Sequence, residues 1–265
     1  MPVDPKHPMF PAPAGDTTIW RYSSLPKLLS LLVTKELFLP SLRCLRRDDP
    51  FEGTPTLMNR RLAAALSDDT FAESFFQEKF PEIKNVNTGF KKHFITSLEG
   101  NLTSLADTCF VSCWHARRQE SAALWKLYAE TQAGVAIKSS VSKLCEAIVE
   151  TDLPMILGSV QYCDFESTYT KTDNMLNAAF TKRDSYEHEH EVRLLLWDYD
   201  VKGESIGRTI ACNPSTMIEE VVVSPYSEDW MVSTVSEVVR RIGFEFLVRK
   251  SRLMDSSIPP QILPG

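Results

Sequence analysis

Apolar residues recur at helical spacing through the first part of the chain and in short strand-like runs after it. Leu25, Leu28, Leu29 and Leu32 mark one face at the i, i+3, i+4, i+7 spacing of an amphipathic helix. Ser24 offers its N-cap and Pro26 fits its first turn. Residues 19–22 ahead of it and 37–39 behind it, ended by Pro40, predict strands, and 43–53 reads as a charged loop. Residues 57–100 predict helices, with Leu62, Leu66, Phe71, Phe75, Phe76 and Phe80 on their faces. That aromatic stripe reads as core. From Thr108 the texture changes. Strands are expected at 109–114, 135–138, 155–162, 189–197, 206–211, 218–223 and 244–248. Helices are expected at 121–130, 141–150, around 174–182, and at 230–241 with Gly243 as its stop.

Helices early and strands later predict an α+β fold on a mixed sheet, with a helical insertion near 55–105. Residues 1–16 carry five prolines and read as a flexible lead-in, 17–255 as one catalytic-type α+β domain, and 256–265 as a loose tail. With 265 residues, 43% of them hydrophobic, the chain can fill one large core.

A net charge of −6 gives no general nucleic-acid footprint, although Arg43, Arg46 and Arg47, and Arg117 with Arg118, leave a local basic groove open. Six scattered cysteines without a Cys-x-x-Cys pair read as reduced thiols. No signal peptide is visible, and the apolar stretch at 25–33, broken by Lys27 and Ser30, is too short to span a bilayer. These features predict a cytoplasmic protein without a membrane partner.

Phosphate-cradling glycine loops, Gly-x-Ser-x-Gly and His-Glu-x-x-His are absent. Three places could carry chemistry. Arg21, with Tyr22 between a strand and a helix start, could clamp a phosphate or carboxylate. Ser112, Trp114 and His115 leave a buried strand together, where a planar ring could stack and its edge be read. The octet 186–193, Tyr-Glu-His-Glu-His-Glu-Val-Arg, is the third. On a strand, Glu187, Glu189, Glu191 and Arg193 share one face, which could stabilise a developing cation or supply a general base. The opposite face carries His188 and His190 at the spacing of a metal pair, with His93, His115 or a carboxylate as a third ligand. Both faces, and a plain solvated strand, remain open readings of the octet.

An ordered set of short motifs runs through residues 19–250: Arg21-Tyr22-Ser23-Ser24-Leu25, Asp49-Pro50-Phe51-Glu52-Gly53, Leu124-Trp125-Lys126-Leu127-Tyr128-Ala129, and Tyr186 through Arg193. The set resembles a largely bacterial family described only as a domain of unknown function. Asp48, where that family carries Asn, Ser23, where arginine is common, and Glu187 with the two histidines depart from its pattern. The family in turn resembles a remote branch of the ADP-ribosyltransferase-like folds. That resemblance implies a split, mixed sheet enclosing a cleft for NAD, which is a substrate. It implies Arg21 on the pyrophosphate or adenylate ribose, Ser112 in support, and Glu191 as the catalytic carboxylate, with Glu189 competing for that role. Trp114 or Tyr22 would stack on nicotinamide, Tyr128 would line the cleft, and Trp125 would be core. The activity implied is transfer of ADP-ribose from NAD to a macromolecular acceptor of unknown kind or to water, in a toxin- or defence-related setting. A non-catalytic nucleotide-sensing or protein-binding module, and a metal-dependent hydrolase built on His188 and His190, are the competing expectations.

Overall fold

The computed structural model describes residues 3–79, 88–99, 102–129, 132–149, 151–171, 173–201 and 203–255. Phe80, the ends of the expected helices at 130 and 150, and the expected tail at 256–265 lie outside the described residues. The first half of the chain runs β1 (Val3–Asp4), β2 (Thr18–Ser24), α1 (Leu25–Thr34), β3 (Glu36–Pro40), α2 (Leu42–Leu45), α3 (Leu57–Ala65), α4 (Asp69–Lys79), α5 (Thr88–Glu99), α6 (Leu102–Thr108) and β4 (Cys109–Ala116). It continues with α7 (Ala122–Tyr128), β5 (Gly134–Ser140), α8 (Val141–Ala147), β6 (Met155–Ser159), β7 (Gln161–Cys163), β8 (Thr181–Arg183) and β9 (Glu191–Trp197). The last part is β10 (Gly207–Ala211), α9 (Pro214–Met217), β11 (Glu220–Val223), α10 (Trp230–Ile242) and β12 (Leu247–Lys250). Two 3-10 helices, Met175–Phe180 and Asp184–Glu189, flank β8.

The architecture is α+β. Eight strands form one open mixed sheet in the order β1-β6-β9-β4-β2-β5-β11-β12. Only the outermost pairs, β1 with β6 and β11 with β12, are parallel; the inner ladders are antiparallel. The central ladder is short. β4 pairs with β9 over seven positions and β2 with β5 over seven, but β2 and β4 meet only at Ile19–Ala116 and Trp20–His115. Beyond Trp20 the sheet forks. Arg21 reaches from β2 to the carbonyl of Phe38 on β3, 3.1 Å away, and Ser41 bridges to Phe110 on β4, so β3 lies across the fork.

One sheet face is covered by α1, α8 and α10, whose Leu28, Leu32, Leu144, Val235 and Val239 join the main core with Phe110, Trp114 and Leu194. The other face carries two separate apolar clusters. Leu42, Leu105, Phe180 and Leu195 sit over the β6-β9-β4 half. Trp20, Tyr22, Leu124, Trp125 and Val222 sit over the β2-β5-β11 half. The space between them, at the fork, is where polar side chains collect.

Three expectations need correction. The lead-in is packed rather than loose: Val3 and Asp4 pair with β6, and Phe10, 3% exposed, stacks on Phe180 at 4.4 Å over Gly158. Apolar burial of Val3 and Phe10 outweighs the disordering effect of the prolines. The segment around 174–182 is a short 3-10 helix followed by a strand. The helix expected over 121–130 ends at Tyr128, and Leu127 and Tyr128 in its last turn are exposed. In the insertion, Phe76 packs with Ala63, Leu66 and Ala72 while Phe71 is exposed.

Candidate functional site

The alternation of β4 and β9 determines which side chains reach the fork. Cys113 pairs with Arg193 and His115 with Glu191, so these four project to the same face. Ser112 and Trp114 project to the other face, where the Trp114 ring N–H donates to the Ser112 hydroxyl at 3.0 Å inside the main core. The structure thus removes Ser112 and Trp114 from the cavity side. Cys113 and His115, offset by one residue, take those positions.

The octet is not one strand. Residues Asp184–Glu189 form a 3-10 helix, His190 takes a left-handed conformation with φ of 44°, and the strand starts only at Glu191. Glu189, Glu191 and Arg193 still converge, while Glu187 is exposed. His188 and His190 are exposed too, and no group of three potential metal ligands exists among the described residues. The histidine-pair metal reading is therefore corrected: the turn at His190 breaks the alternation that would have put both imidazoles on one strand face.

At the fork, five charged groups form one buried network. All five N–H groups of Arg193 are engaged. Its Nε donates to Glu191 Oε1 at 2.6 Å and Nη2 to Glu191 Oε2 at 3.1 Å. Nη1 and Nη2 donate to the two oxygens of Glu52 at 2.6 and 3.0 Å, and Nη1 also to the Ala179 carbonyl at 2.5 Å. Lys182 Nζ lies 2.7 Å from Glu189, 3.3 Å from Glu191 and 3.9 Å from Glu52, above the Tyr186 ring. Tyr128 donates its hydroxyl to the second oxygen of Glu189. The network therefore holds three carboxylates, Glu52, Glu189 and Glu191, against two cations, Lys182 and Arg193.

The two carboxylates of the octet differ. Burial works to raise the pKa of Glu191, but the Arg193 and Lys182 charges hold it well below the ordinary carboxylate range. Burial raises Glu189, and the Glu191 charge adds to that rise against the pull of Lys182. Glu191 is thus a fixed anion inside the protein. Glu189 is the less readily ionised of the two; it is 2% exposed and lines a cavity beside Tyr128, which is 40% exposed. Burial and Glu191 also push the Cys113 thiol up, which keeps it protonated and a poor nucleophile.

A cavity of about 190 Å³ opens at this point. Its walls include Arg21 and Tyr22 from β2, Cys113 and His115 from β4, Tyr128 from α7, and Glu189 and Glu191. His115 stacks on Tyr128 at 5.4 Å and tilts against Tyr22 at 5.8 Å. Its Nδ1 lies 2.9 Å from the Glu189 carbonyl. A carbonyl only accepts, so Nδ1 carries the proton. Arg21 is half-buried and stands 5.9 Å over the Trp114 ring. Burial lowers its pKa, and among the described residues no carboxylate pairs with it.

His115 makes the site sensitive to acid. Burial lowers its pKa from the ordinary value of 6.5, so the unfolded chain binds a proton there that the folded chain does not. Its contribution is full above that pH and is lost as pH falls below it. The contribution of Glu191 has the same sign but is lost only at lower pH. Between pH 7 and pH 5.5 this group lowers the unfolding free energy by up to about 1.4 kcal/mol per pH unit, while the raised pKa of Glu189 acts in the opposite direction, so urea unfolding of wild type against His115→Gln isolates the histidine limb. In His115→Gln that limb should flatten.

The structure thus brings Arg21, Tyr22, Tyr128, Glu189 and Glu191 to one cavity and leaves Ser112 and Trp114 behind it. Glu52, Lys182, Cys113 and Tyr186 join them without having been singled out as site residues. The Asp49-Pro50-Phe51-Glu52-Gly53 run was the available signal for Glu52. Lys182 sat in a segment read as helix, which hid its direction. Among the described residues no helix is long and apolar enough to cross a membrane.

A family model described as "Protein of unknown function (DUF2971)" matches residues 124–194, a segment that contains Tyr128, Lys182, Glu189, Glu191 and Arg193. No curated protein matches the chain.

Proposed function

We propose that this cavity cleaves the nicotinamide–ribose bond of NAD, transferring ADP-ribose to an acceptor or to water. The observation that carries the reading is the convergence, at a fork in a mixed sheet, of an acid-free arginine on β2 with two buried glutamates, Glu191 at the start of β9 and Glu189 at the end of the 3-10 helix before it. At about 190 Å³ the cavity is smaller than the ~300 Å³ and more of a drug-sized ligand site. It would take the nicotinamide riboside end, with the rest of the dinucleotide leaving through the mouth past Arg21.

In this reading the glycosidic bond breaks with its electron pair going to the nicotinamide nitrogen, which loses its positive charge. The ribose C1′ becomes cationic, as in glycoside cleavage. Glu189 exchanges its Tyr128 hydrogen bond for a ribose hydroxyl, stabilises that cation and takes the proton of the attacking water or acceptor. Glu191, with both oxygens on Arg193 and Lys182, holds the cations that orient Glu189. Tyr22, His115 and Tyr128 form the aromatic wall, and Arg21 neutralises the pyrophosphate.

The complete pairing of Glu189, to Tyr128 and Lys182, favours one second reading: a site that binds a nucleotide without turning it over. Incubation of the protein with NAD separates the two. The proposal expects nicotinamide release, and Arg21→Ala should raise KM for NAD about tenfold or more, the loss of one charge-assisted contact. Thermal stabilisation by NAD without release would support the sensor instead.

A further inference from the structure

We propose a second ligand site, separate from the charged network, that takes a small anion with an apolar body. A cavity of about 210 Å³ lies between the helical insertion and the segment leading to β8. Pro55, Leu105, Met175 and Ala178 give it an apolar floor, and Lys171 and His93 bring cationic or protonatable nitrogens to its rim. Among the described residues lining it there is no carboxylate. Lys171 has no acidic partner among the described residues. An apolar floor under a cationic rim suits an anion whose body is not hydrated.

The walls are built rather than left over from packing. Asn59, 1% exposed, is fully committed. Its Nδ2 donates to the Thr170 carbonyl at 2.9 Å, and its Oδ1 accepts from the Thr170 N–H at 3.0 Å. Thr56 donates to the Thr168 carbonyl at 2.8 Å. These bonds pin the loop that carries Lys171 onto α3. Gly53, which also lines the cavity, has φ of +62°, and a Cβ there would lie 2.7 Å from the buried Leu42, so this turn needs glycine. A pinned loop and an apolar floor with a few polar groups at its edge match the general form of a preformed ligand site.

The two cavities share a partition. Glu52, next to Gly53, and the carbonyl of Ala179, next to Ala178, both hold Arg193. A ligand that tightens 53 and 178 would act on the network from behind, and by linkage a ligand at Glu189 would act on the second cavity equally.

A nucleoside monophosphate and an aromatic carboxylate share the chemistry required. Calorimetric titration of the full chain with AMP and with benzoate distinguishes them, with adenosine and inorganic phosphate as the separated halves. At least one whole anion should bind, more tightly than either half. Lys171→Glu, at an exposed position, should weaken that binding about tenfold or more, and Ala178→Leu should fill the floor and reduce it further. Glu189→Gln and Arg21→Ala should leave the affinity within about threefold, less than one hydrogen bond. Absence of binding by both anions, binding indifferent to Lys171→Glu, or binding lost in Arg21→Ala but kept in Lys171→Glu would each overturn the proposal. None of these outcomes depends on whether NAD is cleaved.

Discussion

Arg193→Met should destabilise the fold by about 3–5 kcal/mol, the cost of leaving buried carboxylates without their cation. Arg193 is 0% exposed and holds both oxygens of Glu52 and both of Glu191. Its removal leaves three carboxylates facing Lys182 alone. Loss of an acid is less costly, because the same network has an acid in excess. Glu52→Gln should therefore be milder than Arg193→Met, and equilibrium urea unfolding of the two variants checks the order. Equal losses would mean that the network is more evenly compensated than its contacts indicate.

Glu189→Gln should give the largest change in activity with the smallest change in stability. It keeps the shape and an acceptor for Tyr128, and it removes the surplus negative charge, so its urea midpoint should equal or exceed that of the wild type. The rate of nicotinamide release should fall about 10²–10⁴-fold, the range for a positioned general base or charge stabiliser. Glu191→Gln gives the opposite signature. It removes a low-pKa anion tied to Arg193 and Lys182, so it should lower stability first and activity as a consequence. A residue that costs stability to retain, and whose loss stops the chemistry, marks a functional position.

Much of this was legible in the sequence. The Leu25–Leu32 stripe, the strand at 109–114 and the apolar run after Glu191 follow directly from periodicity, because each buries one face or both. The period of two placed Glu189, Glu191 and Arg193 together; Glu191 and Arg193 do share a face of β9, while Glu189 reaches the same network from the end of the 3-10 helix. That period failed at Glu187 and the histidines because a 3-10 helix holds 184–189 and the left-handed His190 ends it, and histidine, although enriched in that region, marks it far less strongly than glycine. Ser112 and Trp114 illustrate a different failure. Position on a strand was readable, but which face meets the cavity depends on pairing with a strand some eighty residues away, in register Cys113 to Arg193.

The fork and the network lay further out of reach. The two-residue ladder between β2 and β4 is a property of non-local pairing. Glu52 and Arg193 are separated by 141 residues, and each alone looks like an ordinary charge. Lys182 faces the acids only because a 3-10 turn replaces the expected helix and redirects the chain into β8.

We propose Glu189 as the working carboxylate of an NAD-cleaving site and Glu191 as its structural support. The most direct test is nicotinamide release from NAD by the wild type and by Glu189→Gln, each at a protein concentration corrected for the folded fraction. The wild type should release nicotinamide steadily, and a variant at least as stable should do so about 10²–10⁴-fold more slowly. Release at the wild-type rate by folded Glu189→Gln, or no release by the wild type, would contradict the proposal.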